Sequence, residues 1–391
     1  MHAHRHSIYC ILPPHILTKI AENGTAEQQQ KAKQTIVSTE QLRGRRRGIE
    51  KVISFSVPTA GPSTKQRTIY DAQTGSALPG TLVRAEGGPP VADVAVNEAY
   101  DGSGVTYDLY SEIFGRNSID GSGLKLDSSV HYQKSYDNAF WDGQQMVYGD
   151  GDEDMPAEKR LFNRFTIAID VIGHELTHGV TQNEANLAYW DQSGALNESF
   201  SDVFGSLVKQ YQLKQSADDA DWLIGQGLLS SNVKGIALRS MKAPGTAYDD
   251  PVLGKDPQPA HMKNYLNTTQ DNGGVHINSG IPNHAFYLIA MEIGGFAWNK
   301  AGMIWYKTLT DKLTDRSTFQ DAANLTHQVA GELFGVGSLE QIAVKNGWAS
   351  VGLMVSGVPV PPPPTPTPVP VPGDGCMTQI MRSLGLARPR K

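Results

Sequence analysis

The sequence predicts an α+β fold with strands and helices segregated along the chain, and three observations predict it. Across residues 65–148 the apolar residues come in short runs broken by Gly, Pro, Asn and Asp, the pattern of a β-rich region. In residues 281–293, 299–312 and 318–334 they recur at helical spacing. Between the two regions, residues 162–180 read as one helix, apolar on nearly every side through Phe165, Ile167, Ile169, Val171, Ile172, Leu176 and Val180. A helix apolar all round is a buried one.

The chain has 391 residues, 39% of them hydrophobic, which suffices for two packed lobes plus accessories. A formal charge of −6 argues against a nucleic-acid partner. The only cysteines, Cys10 and Cys376, imply no disulfide framework and leave the redox compartment undecided. No run of about twenty apolar residues occurs, so no transmembrane segment is expected. A monomer is expected.

At the N-terminus, the apolar run around Ile8, Ile11 and Leu12 is too short and interrupted for a signal-peptide core. His2, His4 and His6 read as a frayed polar terminus rather than a metal site. Arg43, Arg45, Arg46 and Arg47 form a basic cluster, read first as a solvated linker and second as a processing site. Within 65–148, residues 104–110 read as strand-like, with helix the alternative, and 124–132 as a strand. After Val358, the proline run to Gly373 is a polyproline II spacer that cannot join a packed core. Beyond it, Met377, Ile380, Met381 and Leu384 have helical spacing, but a disordered tail is preferred.

The chemistry concentrates in the buried helix, at His174-Glu175-Leu-Thr-His178. Residues i and i+4 share a helical face, so both imidazoles can reach one metal ion while Glu175 points at whatever else that metal holds. Burying two histidines and a glutamate unpaired is costly, and zinc explains all three together. A catalytic zinc site needs a third ligand. Glu198, in Asn197-Glu198-Ser-Phe-Ser-Asp202 on a second helix, is preferred to its rival Glu184. Asp202, at i+4 from Glu198, is placed to accept the second ring N–H of a ligand histidine. The variant motif with a third histidine needs glycine and histidine where this chain has Thr181 and Glu184, and is excluded.

The run from Asn138 to Asp152 (Asn-Ala-Phe-Trp-Asp-Gly-Gln-Gln-Met-Val-Tyr-Gly-Asp-Gly-Asp), the His174–His178 motif, Gly194-Ala-Leu-Asn-Glu-Ser-Phe-Ser-Asp202, Leu238-Arg239-Ser-Met241 and Asp271-Asn-Gly-Gly-Val-His276-Ile-Asn-Ser-Gly280 stand in one order. Together they resemble the thermolysin family of zinc endopeptidases over roughly residues 60 to 357. The resemblance implies a two-lobed zincin: a β-rich N-terminal lobe, the zinc helix at the floor of a cleft, and a mainly helical C-terminal lobe. The segment Ile11-Leu-Pro-Pro-His15 resembles the short precursor of the protealysin-like members, so residues 1–52 are expected to be a compact prosegment and inhibitor. The remaining organisation is then 53–180 and 181–357 as catalytic lobes, 358–373 as linker and 374–391 as tail. Cys10 is read as an ordinary cysteine in preference to a thiolate that blocks the zinc.

The implied enzyme hydrolyses peptide bonds of proteins or peptides with one catalytic zinc held by His174, His178 and Glu198, and with Glu175 as general base. Resemblance places His276 and Tyr189 as oxyanion donors, Asp271 behind His276, Asn138 and the backbone of Ala139 as substrate anchors, and Arg239, Val171 and Leu238 around a pocket for a large apolar residue after the scissile bond. Self-processing would then fall before Ile49, Val52, Ile53 or Phe55. Calcium is disfavoured: Lys209, Leu223 and Gln226 replace acidic ligands of the calcium-binding members, and Lys209 is expected to pair with Asp170, leaving Asp218, Asp219 and Asp221 mostly solvated. The alternative function is a catalytically silent zinc-binding pseudoprotease that holds a protein partner. Secretion is implied by the family, with a cytoplasmic location the alternative.

Overall fold

The computed structural model describes residues 9–49 and 64–356. The expectations for His2, His4 and His6, for the bonds before Val52, Ile53 and Phe55, and for the proline run and tail lie outside the described residues.

The chain opens with a short strand, β1 (Tyr9–Cys10), then helices α1 (Pro14–Asn23) and α2 (Ala26–Ile49). Pro14 sits in the first turn of α1, where a missing N–H breaks no helical bond. The helix buries Ile16, Leu17 and Ile20 in the main core. α2 runs through Arg43 to Arg47, so the basic cluster is helical rather than a linker. Its Gln, Lys, Glu, Leu and Arg are good helix formers, and no proline interrupts them.

Strands β2 (Arg67–Asp71), β3 (Thr81–Ala85), β4 (Leu126–Val130), β5 (Ala139–Trp141) and β6 (Met146–Tyr148) join β1 in a six-stranded sheet ordered β1-β5-β6-β4-β2-β3. β2, β4 and β6 run parallel, and β3 and β5 oppose their neighbours. The N-terminal segment supplies the edge: Tyr9 lies opposite Trp141 and Cys10 opposite Phe140, antiparallel. Main-chain pairing, not side-chain packing alone, therefore seats it.

Residues 104–110 are helical, not extended. They lie in α3 (Val94–Asp108), whose N-terminus Asp93 caps by accepting from the Ala95 and Val96 N–H groups, and in a π-turn at Leu109–Ile113. The central helix α4 (Ile169–Asn183) also starts later than its apolar run suggests. Phe162 and Phe165 are buried from a loop: Phe162 bridges Leu229, and its carbonyl accepts from the Asp152 N–H. An apolar run records burial, and a buried loop writes the same signal as a buried helix.

After α5 (Asp191–Leu213) the fold is mainly helical: α6 (Asp271–Asn278), α7 (Gly280–Ile293), α8 (Ala301–Asp311), α9 (Phe319–Phe334) and α10 (Leu339–Ser350). Thr318 and Asp321 form a capping box on α9. The last helix was not foreseen. Its inner residues Ala343, Val344, Gly347 and Trp348 make a weak stripe, and its clearest signal is the Ser338 cap on Gln341.

One clasp ties the sheet to α3. His131, at the end of β4 in a left-handed conformation (φ 55°), bonds Asp150 through Nδ1 at 2.8 Å and Asp93 through Nε2 at 2.7 Å. The Asp150 hydrogen bond, helped by Asp93 and opposed by burial, pushes its pKa up to about 9. A pKa raised on folding stabilises the fold fully below the unfolded value of about 6.5 and ceases to do so as pH rises through the folded value. With the side chain 24% exposed, the contribution is about 1–3 kcal/mol. Denaturant unfolding should show stability falling from pH 6.5 to above 9 in the wild type and a flatter profile in His131→Asn, a residue that tolerates the same backbone. Equal slopes would remove the clasp from the stability of this lobe.

Candidate active site

α4 carries His174 and His178 one turn apart, with their Nε2 atoms 3.0 Å from each other. The Nδ1 of His174 donates to Asp202 and that of His178 to the side-chain oxygen of Asn197, each at 2.8 Å. Both rings therefore keep their protons on Nδ1 and turn lone pairs toward each other. Glu198 of α5 comes to 3.6 Å of His174 Nε2 and 3.5 Å of His178 Nε2, and its Oε2 has no hydrogen-bond partner. Ligand atoms of the three residues lie within 4.8 Å of one another, all buried. Two lone pairs and a carboxylate converging away from water repel unless a cation joins them, and two imidazoles with one carboxylate fit zinc in its catalytic form. Glu184, the rival ligand, pairs instead with Arg116 at 2.5 Å.

Glu175 is wholly buried beside this group, and its Oε2 accepts from the Trp141 N–H at 3.0 Å. Burial, with the charge of Glu198 added, holds its carboxyl well above the usual range, while the Trp141 N–H, Arg239 and the Ile11 N–H pull the other way. Asp202 is equally buried, yet Arg239 and His174 overcome the burial penalty and keep it ionised. Arg239 grips both Asp202 oxygens, through Nη2 at 2.7 Å and Nε at 2.8 Å, and Asn283 donates to the same carboxylate.

His276 is set by the turn before it. Asp271, Asn272, Gly273 and Gly274 all take left-handed angles, and a Cβ on Gly273 would meet the Asp191 backbone nitrogen at 2.9 Å. The turn brings Asp271 Oδ1 to 2.6 Å from His276 Nδ1, and its other oxygen accepts the His276 N–H. Burial opposes a charge on this ring, but Asp271 and Glu198 outweigh it and push its pKa up to about 9. Tyr189 bridges the two sides, its hydroxyl donating to Glu198 and lying 3.1 Å from His276 Nε2.

The N-terminal segment runs through this group by its main chain. His276 Nε2 is 3.1 Å from the Cys10 carbonyl. The Ile11 N–H donates to the Ala139 carbonyl at 3.2 Å, and its own carbonyl accepts from Arg239 Nη1 at 3.1 Å. The Leu12 N–H donates to Asn138 Oδ1 at 3.0 Å. Ile11, Val171 and Leu238 are buried in one apolar cluster. The Cys10 side chain belongs to a separate cluster with Tyr132, Tyr136, Phe140 and Val147, so the backbone carbonyl of Cys10, and not its thiol, faces the site.

Sequence reasoning missed three parts of this arrangement. Asn197, the partner of His178, stands next to Glu198 and could have been found from that adjacency. The Arg239–Asp202 pairing and the threaded main chain carry no local signal. Lys209 lies 3.5 Å from Asp170 but only 2.6 Å from Asp221, so Asp221 is engaged rather than mostly solvated.

The fold and this site define a zinc-metallopeptidase class of protein. Residues 27–182 match the family described as thermolysin metallopeptidase, catalytic domain, and residues 185–353 its alpha-helical domain. The extracellular metalloprotease of Pectobacterium carotovorum subsp. carotovorum is 52% identical over 355 residues, covering 89% of this chain and 97% of that protein. Protease PrtS of a Photorhabdus species (strain Az29) is 48% identical over 354 residues, covering 88% and 92%. The solved precursor of protealysin, a metalloproteinase from Serratia proteamaculans, superposes with a TM-score of 0.77 at 53% identity, covering 88% of this chain and 99% of that one. The chain belongs to the thermolysin metallopeptidase family. It is a thermolysin-like zinc metalloendopeptidase made with a prosegment, and a catalytically silent holder finds no support among these relatives.

Removing Arg239 would leave the buried Asp202 charge without its cation. Arg239→Leu should therefore lower unfolding stability by about 3–5 kcal/mol, read from denaturant midpoints. A loss below about 1 kcal/mol would mean that Asn283 and His174 suffice for Asp202.

Proposed function

We propose that this enzyme cleaves proteins and peptides before a large apolar residue, and that the prosegment inhibits it by lying along the cleft as a substrate would. The observation that carries this reading is the path of Cys10, Ile11 and Leu12, whose carbonyls and amides meet His276, Ala139, Arg239 and Asn138 in turn. In this reading Asn138, the Ala139 carbonyl and Arg239 hold the substrate main chain. Val171 and Leu238, buried in the same core as Ile11, would line the pocket for the residue after the scissile bond.

His174, His178 and Glu198 would hold zinc, which supplies a Lewis acid and lowers the pKa of a water molecule. Asp202 fixes the His174 tautomer. Glu175 takes a proton from the attacking water and passes it to the departing amide nitrogen, a role suited to a carboxyl whose pKa burial has raised. His276, kept charged by Asp271, and Tyr189 donate to the oxygen that becomes negative as the carbonyl is attacked. At a neutral pH His276 needs no proton from elsewhere to act as that donor.

Latency needs more than the threaded strand. Lys31 of α2 is buried against Asp152 at 2.7 Å and Asp154 at 3.0 Å. Burial disfavours its charge, but Asp137 and Asp152 restore it. Undocking the prosegment strips these carboxylates of their cation. In this reading the enzyme is secreted, which a relative named as extracellular supports. The Lys209 ammonium, set between Asp170 and Asp221, takes the place of calcium in this reading.

Two experiments test the reading. With zinc quantified in both proteins, Glu175→Gln should keep the metal and lose about 10²–10⁴ in cleavage of a quenched peptide with Gly-Leu at its centre. Chelation should abolish wild-type cleavage, and a fully active Glu175→Gln would end the general-base role. Lys31→Met, which leaves Asp152 buried without its partner, weakens docking by about 3–5 kcal/mol and should raise the peptide-cleaving activity of the unprocessed chain by about 100-fold or more. Unchanged latency would assign inhibition to the strand and α1 alone.

A further inference from the structure

We propose that the Cys10–Ile11 peptide bond is itself a substrate of this active site, hydrolysed within one molecule, and that the cut prosegment stays bound as a retained product. The inference rests on the proposed function and extends it to a bond outside the basic region and the junction with the catalytic part.

The groups that the reaction needs surround this one bond. The Cys10 carbonyl oxygen receives the hydrogen bond of His276 Nε2 at 3.1 Å, where an oxyanion would be stabilised. On the other side of the bond, the Ile11 N–H donates to the Ala139 carbonyl, and Glu175, the residue that delivers a proton to the departing nitrogen, is held by the N–H of Trp141 on β5, the strand that β1 pairs with. Arg239 and Asn138 clamp the next carbonyl and amide, and β1 pairs antiparallel with β5. No other backbone bond among the described residues has its carbonyl on His276. Ile11 is fully buried in the main hydrophobic core, a setting that favours an apolar residue after the cut. Atoms balance simply: water gives its oxygen to the Cys10 carbonyl carbon, the bond from that carbon to the Ile11 nitrogen breaks, and the nitrogen leaves with a proton as the new amino terminus. Nothing is oxidised or reduced.

The anchoring downstream of the bond decides what the cut does. Downstream of the bond lie Ile16, Leu17 and Ile20 in the core, Lys31 on Asp152, Gln28 on the Lys159 carbonyl and Ser38 on Gln133. Cutting therefore leaves Ile11 onward in the cleft, so the nick does not activate the enzyme. Activation requires removal of α1 and α2 as well.

The test uses the full unprocessed chain loaded with zinc, incubated over a dilution series and followed by intact mass and N-terminal sequencing, with activity on the quenched peptide recorded in parallel. The expected result is a fragment ending at Cys10 and a new terminus at Ile11. It should accumulate at a rate independent of protein concentration, without a matching rise in peptide cleavage, and be lost on chelation and in Glu175→Gln. If the processed enzyme cleaves the peptide while Cys10–Ile11 stays whole in the unprocessed chain, the inference falls and the proposed function stands. If the processed enzyme cleaves no peptide, both fall. A rate that rises with concentration would overturn the intramolecular step, and activity that grows with the nick would overturn retention of the product.

Discussion

The whole site depends on how closely two helices approach. α4 and α5 cross where Gly173 faces Gly205: a Cβ on Gly205 would stand 2.4 Å from the Asp170 carbonyl oxygen, and one on Gly173 would stand 3.0 Å from Val208 Cβ and 3.1 Å from the Gly205 Cα. Neither position can carry a side chain without pushing the helices apart. That spacing lets Glu198 reach both imidazoles and Asp202 reach the far side of His174. A shift of about an ångström would cost far more in chemistry than in packing, because metal ligands and hydrogen-bond donors work only within narrow distances.

From that crossing a chain of charged and polar groups runs to the N-terminal segment. Glu198 faces His174, His174 donates to Asp202, Asp202 is held by Arg239, and Arg239 reaches the Ile11 carbonyl. All of these side chains are buried. Isolated, each charge would be unaffordable in such a place; joined, each is the partner of the next. The consequence is functional. Arg239, which holds the Ile11 carbonyl, also sets the charge of the carboxylate bonded to His174, so the path of the N-terminal segment and the metal-binding group are electrostatically one unit.

What the sequence disclosed follows from how local each interaction is. The two histidines, and Glu198 with Asp202, are i and i+4 pairs on single helices, and helical geometry alone puts each pair on one face. The Asp271-Asn-Gly-Gly run could be read as a turn, since all four residues are those that tolerate left-handed angles. Helices α7, α8 and α9 were visible as periodicity. Arg239 with Asp202, and His131 between Asp93 and Asp150, were not, because their partners lie on other elements and only the finished sheet and helix crossing bring them together. The late start of α4 and the helical nature of residues 104–110 failed for the complementary reason: the signal was strong, but it reported burial and not backbone shape.

The mode of inhibition follows from the same economy of contacts. A side chain offered to the metal centre, such as the Cys10 thiol, would block one atom; a strand laid along β5 engages His276, Ala139, Arg239 and Asn138 together, and it does so through backbone atoms. Such an inhibitor gains no selectivity from its strand, and so must find affinity elsewhere. α1 supplies apolar burial through Ile16, Leu17 and Ile20, and α2 supplies the buried ammonium of Lys31 to Asp152 and Asp154. These anchors lie off the path of a substrate's main chain. In the proposed reading, peptides share the strand-like contacts of the prosegment without inheriting its hold, so one binding mode would serve both turnover and latency.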